Sequence, residues 1–248
     1  METKPNSDNL VVTIYSILLE RIIKFSLAPG AFISDNTISK EMGTSRTPVR
    51  EALLRLEDDG LLTRKNQKFY VTEISSEYIK DLFDARLALE TSMLRLAMQK
   101  KEIVAIVPQL RELNENLHNS IDSGKLIEAI ELDCQIHAKM VETCGNSFLM
   151  ESYWHLEKQL RRMAVFSIVH KKQTASIEHE DIFRSIEAGD VSATCEATAT
   201  NIELSKQQHL DTFEYFRANG WLQVASFIWG NLQCPLPAQF INCQFCSP

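Results

Sequence analysis

Residues 34–71 constrain the fold most, because two short helical segments meet there at a glycine and lead straight into two short β-type runs. The first helix is expected after the cap candidates Ser34 and Asp35 and runs to about Met42, with Gly43 as its C-terminal glycine. Ser45 is placed to cap the next helix. That helix tolerates Pro48 in its first turn and carries the apolar stripe Val49, Leu53, Leu56 before Asp58-Asp59-Gly60 ends it. Two such helices, joined by about three residues around a glycine, make a helix-turn-helix. Leu61-Leu62-Thr63 and Phe69-Tyr70-Val71 predict two strands, with the polar, basic Arg64-Lys65-Asn66-Gln67-Lys68 as the turn between them. Upstream, Val11, Ile14, Leu18, Ile22 and Phe25 recur at three-and-four spacing and predict a helix over 10–25, stopped by Ala28-Pro29-Gly30.

Beyond Val71 the pattern changes. Ser75-Ser76 mark a short joint, and helical periodicity then continues to about residue 216 with breaks at Ser123-Gly124, Cys144-Gly145-Asn146 and Ala188-Gly189-Asp190. Further boundaries near Lys101 and Lys171-Lys172 give about six helices, enough for a bundle whose interior can house a ligand or metal. The expected fold is therefore mostly α: a winged helix-turn-helix with a small two-stranded wing over 1–74, then a six-helix bundle over 75–217 that senses an effector and dimerises. Residues 218–248 carry no charged side chain, and read as an extension foreign to the fold or a disordered tail, with a partner-binding arm as the alternative. Cys243 and Cys246 have CxxC spacing without a second pair, a weak zinc signal, and the six scattered cysteines read as reduced thiols.

The formal net charge of -7 argues against a protein that coats nucleic acid or anionic membrane nonspecifically. The excess acid is unevenly placed: residues 1–74 hold 10 Lys+Arg and 10 Asp+Glu, leaving 16 against 23 for the rest, so a local basic footprint remains open in the N-terminal part. No apolar run approaches the roughly 18 residues of a membrane span, and the start METKPNSDNL lacks the shape of a signal peptide, so a cytoplasmic protein without a membrane partner is expected.

Three groups of residues could carry chemistry. Arg46 and Arg50 lie four apart at the start of the second helix of the motif, where recognition helices meet base edges, and arginine presents the paired donors that match guanine. Ser45 and Thr47 add hydroxyls for phosphate or base, while Lys65 and Lys68 in the wing could reach the DNA backbone or minor groove. Asp133 and His137 also lie four apart, on a face that continues through Ile130 and Met140, and His179 recurs beside Ile182, Phe183 and Ile186. A carboxylate and two imidazoles on apolar faces suit zinc, nickel or another borderline divalent metal; the alternative is that they bond one another or lie at the surface. Arg86 sits between Leu82 and Met93 with Glu90 one turn on, which is either a surface ion pair or an interior guanidinium able to clamp a carboxylate.

Residues 23–73, above all GTSRTPVREALLRLEDDGLL with LAPG upstream, resemble the winged helix of the GntR family of bacterial transcription regulators. RLALE at 86–90, LDCQIHAKMVETCGN at 132–146 and EHEDIFRSIEAGD at 178–190 resemble the FCD effector-binding domain of its FadR-like subgroup. The resemblance implies DNA contacts by Ser45, Arg46, Thr47 and Arg50. Early in helix two, Asn36 and Thr37 stand where the family often has Arg or Glu, and Asn36 is carried as a DNA contact; Asn66-Gln67 stand where the wing usually has a glycine. It implies a metal on Asp133, His137 and His179, with the fourth position falling on Asn201, a poor ligand for a borderline metal. His209, eight residues on and roughly 12 Å along a helix, is too far to replace it. It also implies that Arg86 faces the effector cavity.

The function expected from all this is a homodimeric, ligand-responsive repressor of double-stranded DNA, acting on a pseudo-palindromic operator. A small carboxylate is its effector, bound at a metal, zinc or nickel, in the bundle. Two alternatives stay open: a metal-free FadR-like regulator sensing a larger acyl ligand, and a metal-dependent hydrolase, which lacks an evident general base.

Overall fold

The computed structural model of the chain describes residues 7–167 and 175–219. These fall into two compact units that divide between Ile74 and Ser75. In the first, α1 (Ser7–Ile23) is followed by β1 (Phe32–Ile33), α2 (Asp35–Glu41), α3 (Arg46–Asp58), β2 (Leu62–Lys65) and β3 (Lys68–Val71). The apolar stripe of α1 packs with Val49, Leu53 and Leu56 of α3 and with Phe69 and Val71 of β3 into one core. The helix ends at Ile23, short of the expected Phe25. Phe25 has a φ of 58°, a left-handed backbone that ends the helix, and its ring is buried. The Leu27 amide closes the end by donating to the Arg21 carbonyl at 3.0 Å.

Ser34 caps α2 through the Thr37 amide, which donates to its hydroxyl at 3.2 Å. Gly43 takes φ +61° between α2 and α3, where a Cβ would strain the turn. Ser45 holds the N-cap position of α3, but its side chain makes no capping hydrogen bond, a correction to the expected cap.

The wing also differs from expectation: it belongs to a three-stranded antiparallel sheet in the order β1-β3-β2. β1 pairs Phe32 with Tyr70 and Ile33 with Phe69, and two residues are too few to show the alternation that marks a strand. β2 and β3 pair as far as Lys65 opposite Lys68, so the turn is Asn66-Gln67 alone. Their φ angles of 51° and 63° are the two consecutive left-handed residues that a two-residue hairpin turn of type I′ requires.

The second unit contains α4 (Ser76–Ala97), α5 (Glu102–Ala105), α6 (Val107–Asp122), α7 (Leu126–Glu142), α8 (Ser147–Phe166), α9 (Ala175–Glu187) and α10 (Val191–Asn219). Six are long, as expected; the seventh among the described residues, α5, is one turn, too short for periodicity to reveal. Ser75 caps α4 by accepting from the Tyr78 amide at 3.0 Å. Met93, Leu94, Leu110, Ile136, Met140, Ile182 and Phe183 belong to a core that draws on α4, α6, α7 and α9. At Gly145, between α7 and α8, a Cβ would lie 2.3 Å from the Lys100 ammonium, which donates to the Cys144 carbonyl at 2.6 Å.

Helix α10 extends two residues into the stretch set apart as a tail. The rest of that stretch, with Cys234, Cys243 and Cys246, and the boundary at Lys171-Lys172 lie outside the described residues. Cys134, Cys144 and Cys195 are not joined in disulfides. No described helix is long and apolar enough to cross a membrane.

Candidate functional site

In the first unit, α3 buries Val49, Ala52, Leu53 and Leu56, which turns Arg46, Thr47 and Arg50 outward. Asn36 on α2, Ser45 before α3 and Lys65 at the wing are exposed as well. The missed residue here is Asp35. Its carboxylate accepts from Nη2 of Arg46 through both oxygens, at 2.8 and 3.0 Å, and lies 3.9 Å from Nη1 of Arg50. The Arg46 hydrogen bond holds the Asp35 carboxyl below the usual carboxylate range. Sequence marked Asp35 only as a helix start, because a contact across the turn, eleven residues apart, obeys no local spacing rule.

In the second unit, the residues expected to bind metal converge. The ligating atoms of Asp133 and His137 on α7 and His179 on α9 lie within 4.8 Å of one another. Nε2 of His137 is 3.3 Å from Nε2 of His179, which is 3.6 Å from Oδ1 of Asp133. The other ring nitrogens are oriented from outside. Nδ1 of His137 donates to Oε2 of Glu90 at 3.0 Å, and Nδ1 of His179 donates to Oδ1 of Asn114 at 3.1 Å. A neutral imidazole that donates from Nδ1 accepts at Nε2. Two lone pairs and a carboxylate thus face one space, an arrangement that favours a cation. A tetrahedral ion with Zn–N bonds of about 2.0–2.1 Å sets its nitrogen ligands about 3.3–3.4 Å apart, the separation of these two histidines.

Arg86 and Glu90 on α4 combine the two readings of the sequence: they are paired, but inside the bundle. Nε of Arg86 donates to Oε1 of Glu90 at 2.8 Å, and Glu90 is fully buried. Burial pushes the Glu90 carboxyl up, but the Arg86 guanidinium and the hydrogen bonds from Arg86 and His137 outweigh it and leave the group at about 2. Glu90 therefore stays ionised, clamped between the arginine and the histidine. Burial opposes the charge on Arg86, yet Glu90 more than offsets it.

Arg86, Asp133, His137, Tyr153, Asn201 and His209 line one cavity with a free volume of about 50 Å³, room for a few water-sized groups. Burial drives the Tyr153 phenol well above its ordinary value, so it remains a neutral donor. Burial likewise raises the Glu157 carboxyl on the cavity wall. His209 shares the cavity, but Nδ1 faces the Ser205 carbonyl at 2.6 Å and Nε2 the Met163 carbonyl at 3.0 Å, so both nitrogens are directed at backbone oxygens.

The sequence reading missed Asn114, Tyr153 and the link from Glu90 to His137. Signals were present: Asn114 interrupts the apolar face of Leu110 and Leu117 on α6, and Glu90 lies in the buried stripe between Arg86 and Met93.

Residues 81–204 match the FCD domain family, and residues 10–70 match the bacterial regulatory proteins of the gntR family. The HTH-type transcriptional repressor RspR of Escherichia coli (strain K12) is 27% identical over 203 residues, 79% of this chain and 84% of that protein. The gluconate operon transcriptional repressor of Bacillus subtilis (strain 168) is 26% identical over 167 residues, 67% of each chain. Among solved structures, E. coli McbR/YncC is similar with a TM-score of 0.67, over 84% of this chain and 98% of that one; at 20% identity this concerns the fold alone.

Proposed function

Because the chain belongs to the GntR family of bacterial regulatory proteins, carries an FCD domain and is a transcriptional regulator rather than an enzyme, we propose that it is a metal-dependent, acid-responsive repressor. It acts as a homodimer on a pseudo-palindromic operator, with residues 1–74 binding DNA and residues 75–217 sensing the effector and dimerising. One observation carries the sensing half: Nε2 of His137, Nε2 of His179 and the Asp133 carboxylate converge as acceptors at the separation a divalent ion needs.

Asp133, His137 and His179 would hold the ion, zinc first and nickel as the alternative, with Asn201 beside them as a weak ligand or a partner of bound water or effector. The ion supplies a Lewis-acidic position for an oxygen of the effector. Glu90 and Asn114 hold the two imidazoles in the tautomer that ligation requires. Arg86 has its Nε engaged by Glu90 and offers its Nη donors to a carboxylate, and Tyr153 offers a hydroxyl. The small free volume favours a short carboxylic or hydroxy acid over a long acyl chain. A relative named for a gluconate operon puts hydroxylated acids on the first panel of effectors to try.

On the DNA side, Arg46 and Arg50 read base edges, while Ser45 and Thr47 serve phosphates, the former with a hydroxyl not used in capping. Asn36 and Lys65 contact the duplex from α2 and the wing. The effector switches the regulator by binding two states of the dimer with different affinity.

Elemental analysis and native mass spectrometry of purified wild type and His137→Ala test the proposal. About one ion per protomer is expected in the wild type, with a small acid retained, and loss of the ion in the variant. A metal-free wild type that retains an acyl ligand overturns the metal reading in favour of the metal-free alternative.

A further inference from the structure

We propose that Asp35 is a positioning residue that sets the base selectivity of the α3 face by holding Arg46, and more loosely Arg50, in a fixed presentation. The inference rests on the DNA-reading assignment above. Asp35 opens α2 behind the Ser34 cap, so its backbone is fixed by the helix-turn-helix itself. Its side chain is 16% exposed, whereas those of Arg46 and Arg50 are 62% and 46% exposed. An anchored acid thus holds an exposed arginine whose long stem has no comparable burial.

Both carboxylate oxygens take the same nitrogen of Arg46, Nη2. A guanidinium has five N–H donors in a rigid planar fork, so tying one nitrogen to Asp35 while the stem is fixed to α3 narrows the orientations open to the plane and leaves donors for a base edge. Bidentate recognition of guanine demands that plane in a narrow range of orientations, while a phosphate accepts an arginine from almost any direction. Restraint of the fork therefore favours base reading over phosphate binding.

Charge acts in the same direction. Asp35 sits within 4 Å of both arginines and offsets one of their two positive charges. Phosphate attraction, which is the same for every sequence, weakens, whereas a hydrogen-bonded base contact depends mainly on geometry. An exposed ion pair adds little to fold stability, so the arrangement makes more sense as orientation of the arginines than as reinforcement of the domain.

The test uses the full chain as wild type, Asp35→Asn, Arg46→Ala and the double variant. Each is incubated with a pool of duplexes of randomised sequence and the bound fraction is sequenced; binding to one fixed, unselected duplex is measured against salt. Asp35→Asn is expected to flatten preference at a guanine position by about fivefold or more, the lower end of what one bidentate contact discriminates. Its affinity for the unselected duplex should rise, with a salt slope steeper by about 0.9 per added phosphate contact. The double variant should be no flatter at that position than Arg46→Ala alone, as expected if Asp35 acts through Arg46. A motif from Asp35→Asn as sharp as that of wild type, with an unchanged salt slope, overturns the role of Asp35 and leaves DNA reading intact. Failure of the wild type to enrich any motif overturns the DNA-reading assignment itself and this inference with it.

Discussion

Arg46 and Arg86 are the same side chain paired with the same kind of group at nearly the same distance, 2.8 Å, in opposite surroundings. Arg46 reaches out of α3 with most of its surface in water, and its partner Asp35 is held by α2. Arg86 lies inside the bundle beside a carboxylate with no exposure at all. In water the attraction is screened and the pair contributes little to stability. Inside the bundle the same pair is committed, because removing one member strands the other in a medium that solvates it poorly. The protein thus keeps a weak, exposed pair at the start of α3 and a committed, buried one beside the cavity of the bundle.

The most direct way to break that contrast is to delete the acid from each pair. Glu90→Ala should cost about 3–5 kcal/mol in urea unfolding, as expected when a buried ion pair loses one partner. Asp35→Ala should cost less than about 1 kcal/mol, since the pair it breaks is largely exposed. Equal costs would show that burial does not separate the two sites.

Acid sharpens the comparison further. Glu90 sits at about 2 in the folded chain, below its ordinary 4.5. A carboxyl depressed on folding contributes stability that is complete above its unfolded value and is lost as pH falls through the folded one. Stability should therefore decline between about pH 4.5 and 2 by on the order of 3 kcal/mol from this group. Glu90→Gln removes the titrating group, so its unfolding free energy should fall less steeply than that of wild type over the same range. Parallel curves for the two proteins would remove Glu90 from the account of acid sensitivity.

How much of each region could be read in the sequence follows from the same difference. The helix-turn-helix and the long helices are local: Gly43, the stripe from Val49 to Leu56 and the breaks at Gly124, Gly145 and Gly189 each act over a few residues, and periodicity shows them. Asp133 and His137 were legible because one helical turn joins them. His179 joins them from a different helix, and its place at the site came from an apolar neighbourhood and the family resemblance. Asn114 and Tyr153 are single polar residues on otherwise ordinary helices, and only packing brings them to the histidines and the cavity. Asp35 was invisible as a partner for a similar reason, since the turn at Gly43, not a spacing rule, sets it opposite Arg46. The third strand escaped notice because two residues carry no period.

Asn201 gives a gentler test of the sensing half. If it stands at the fourth position of the metal site, Asn201→His should tighten zinc by about tenfold or more in a competition titration against a chromophoric chelator, because imidazole is a far better ligand than an amide oxygen. The cavity beside Asp133 and His137 already includes position 201, so the new ring needs no rearrangement of α10 to approach them. Unchanged affinity would place Asn201 outside coordinating reach and assign it to the effector alone.

The smallest effect is expected at the wing. Asn66 and Gln67 both hold left-handed backbone, at φ 51° and 63°. Asparagine tolerates that region through its short polar side chain, but glutamine has no such help and meets the full Cβ penalty of about 1–2 kcal/mol. Glycine at this position removes the penalty and gives back part of the gain through its greater freedom in the unfolded chain. Gln67→Gly should therefore stabilise the protein by about 0.5–1 kcal/mol in urea unfolding, and Asn-Gly is the preferred pair for this turn. Because Lys65 and Lys68 sit opposite each other at the base of the turn, their presentation should be unchanged. Affinity for an unselected duplex should then match wild type, whereas a drop would show that the Gln67 side chain itself touches the nucleic acid.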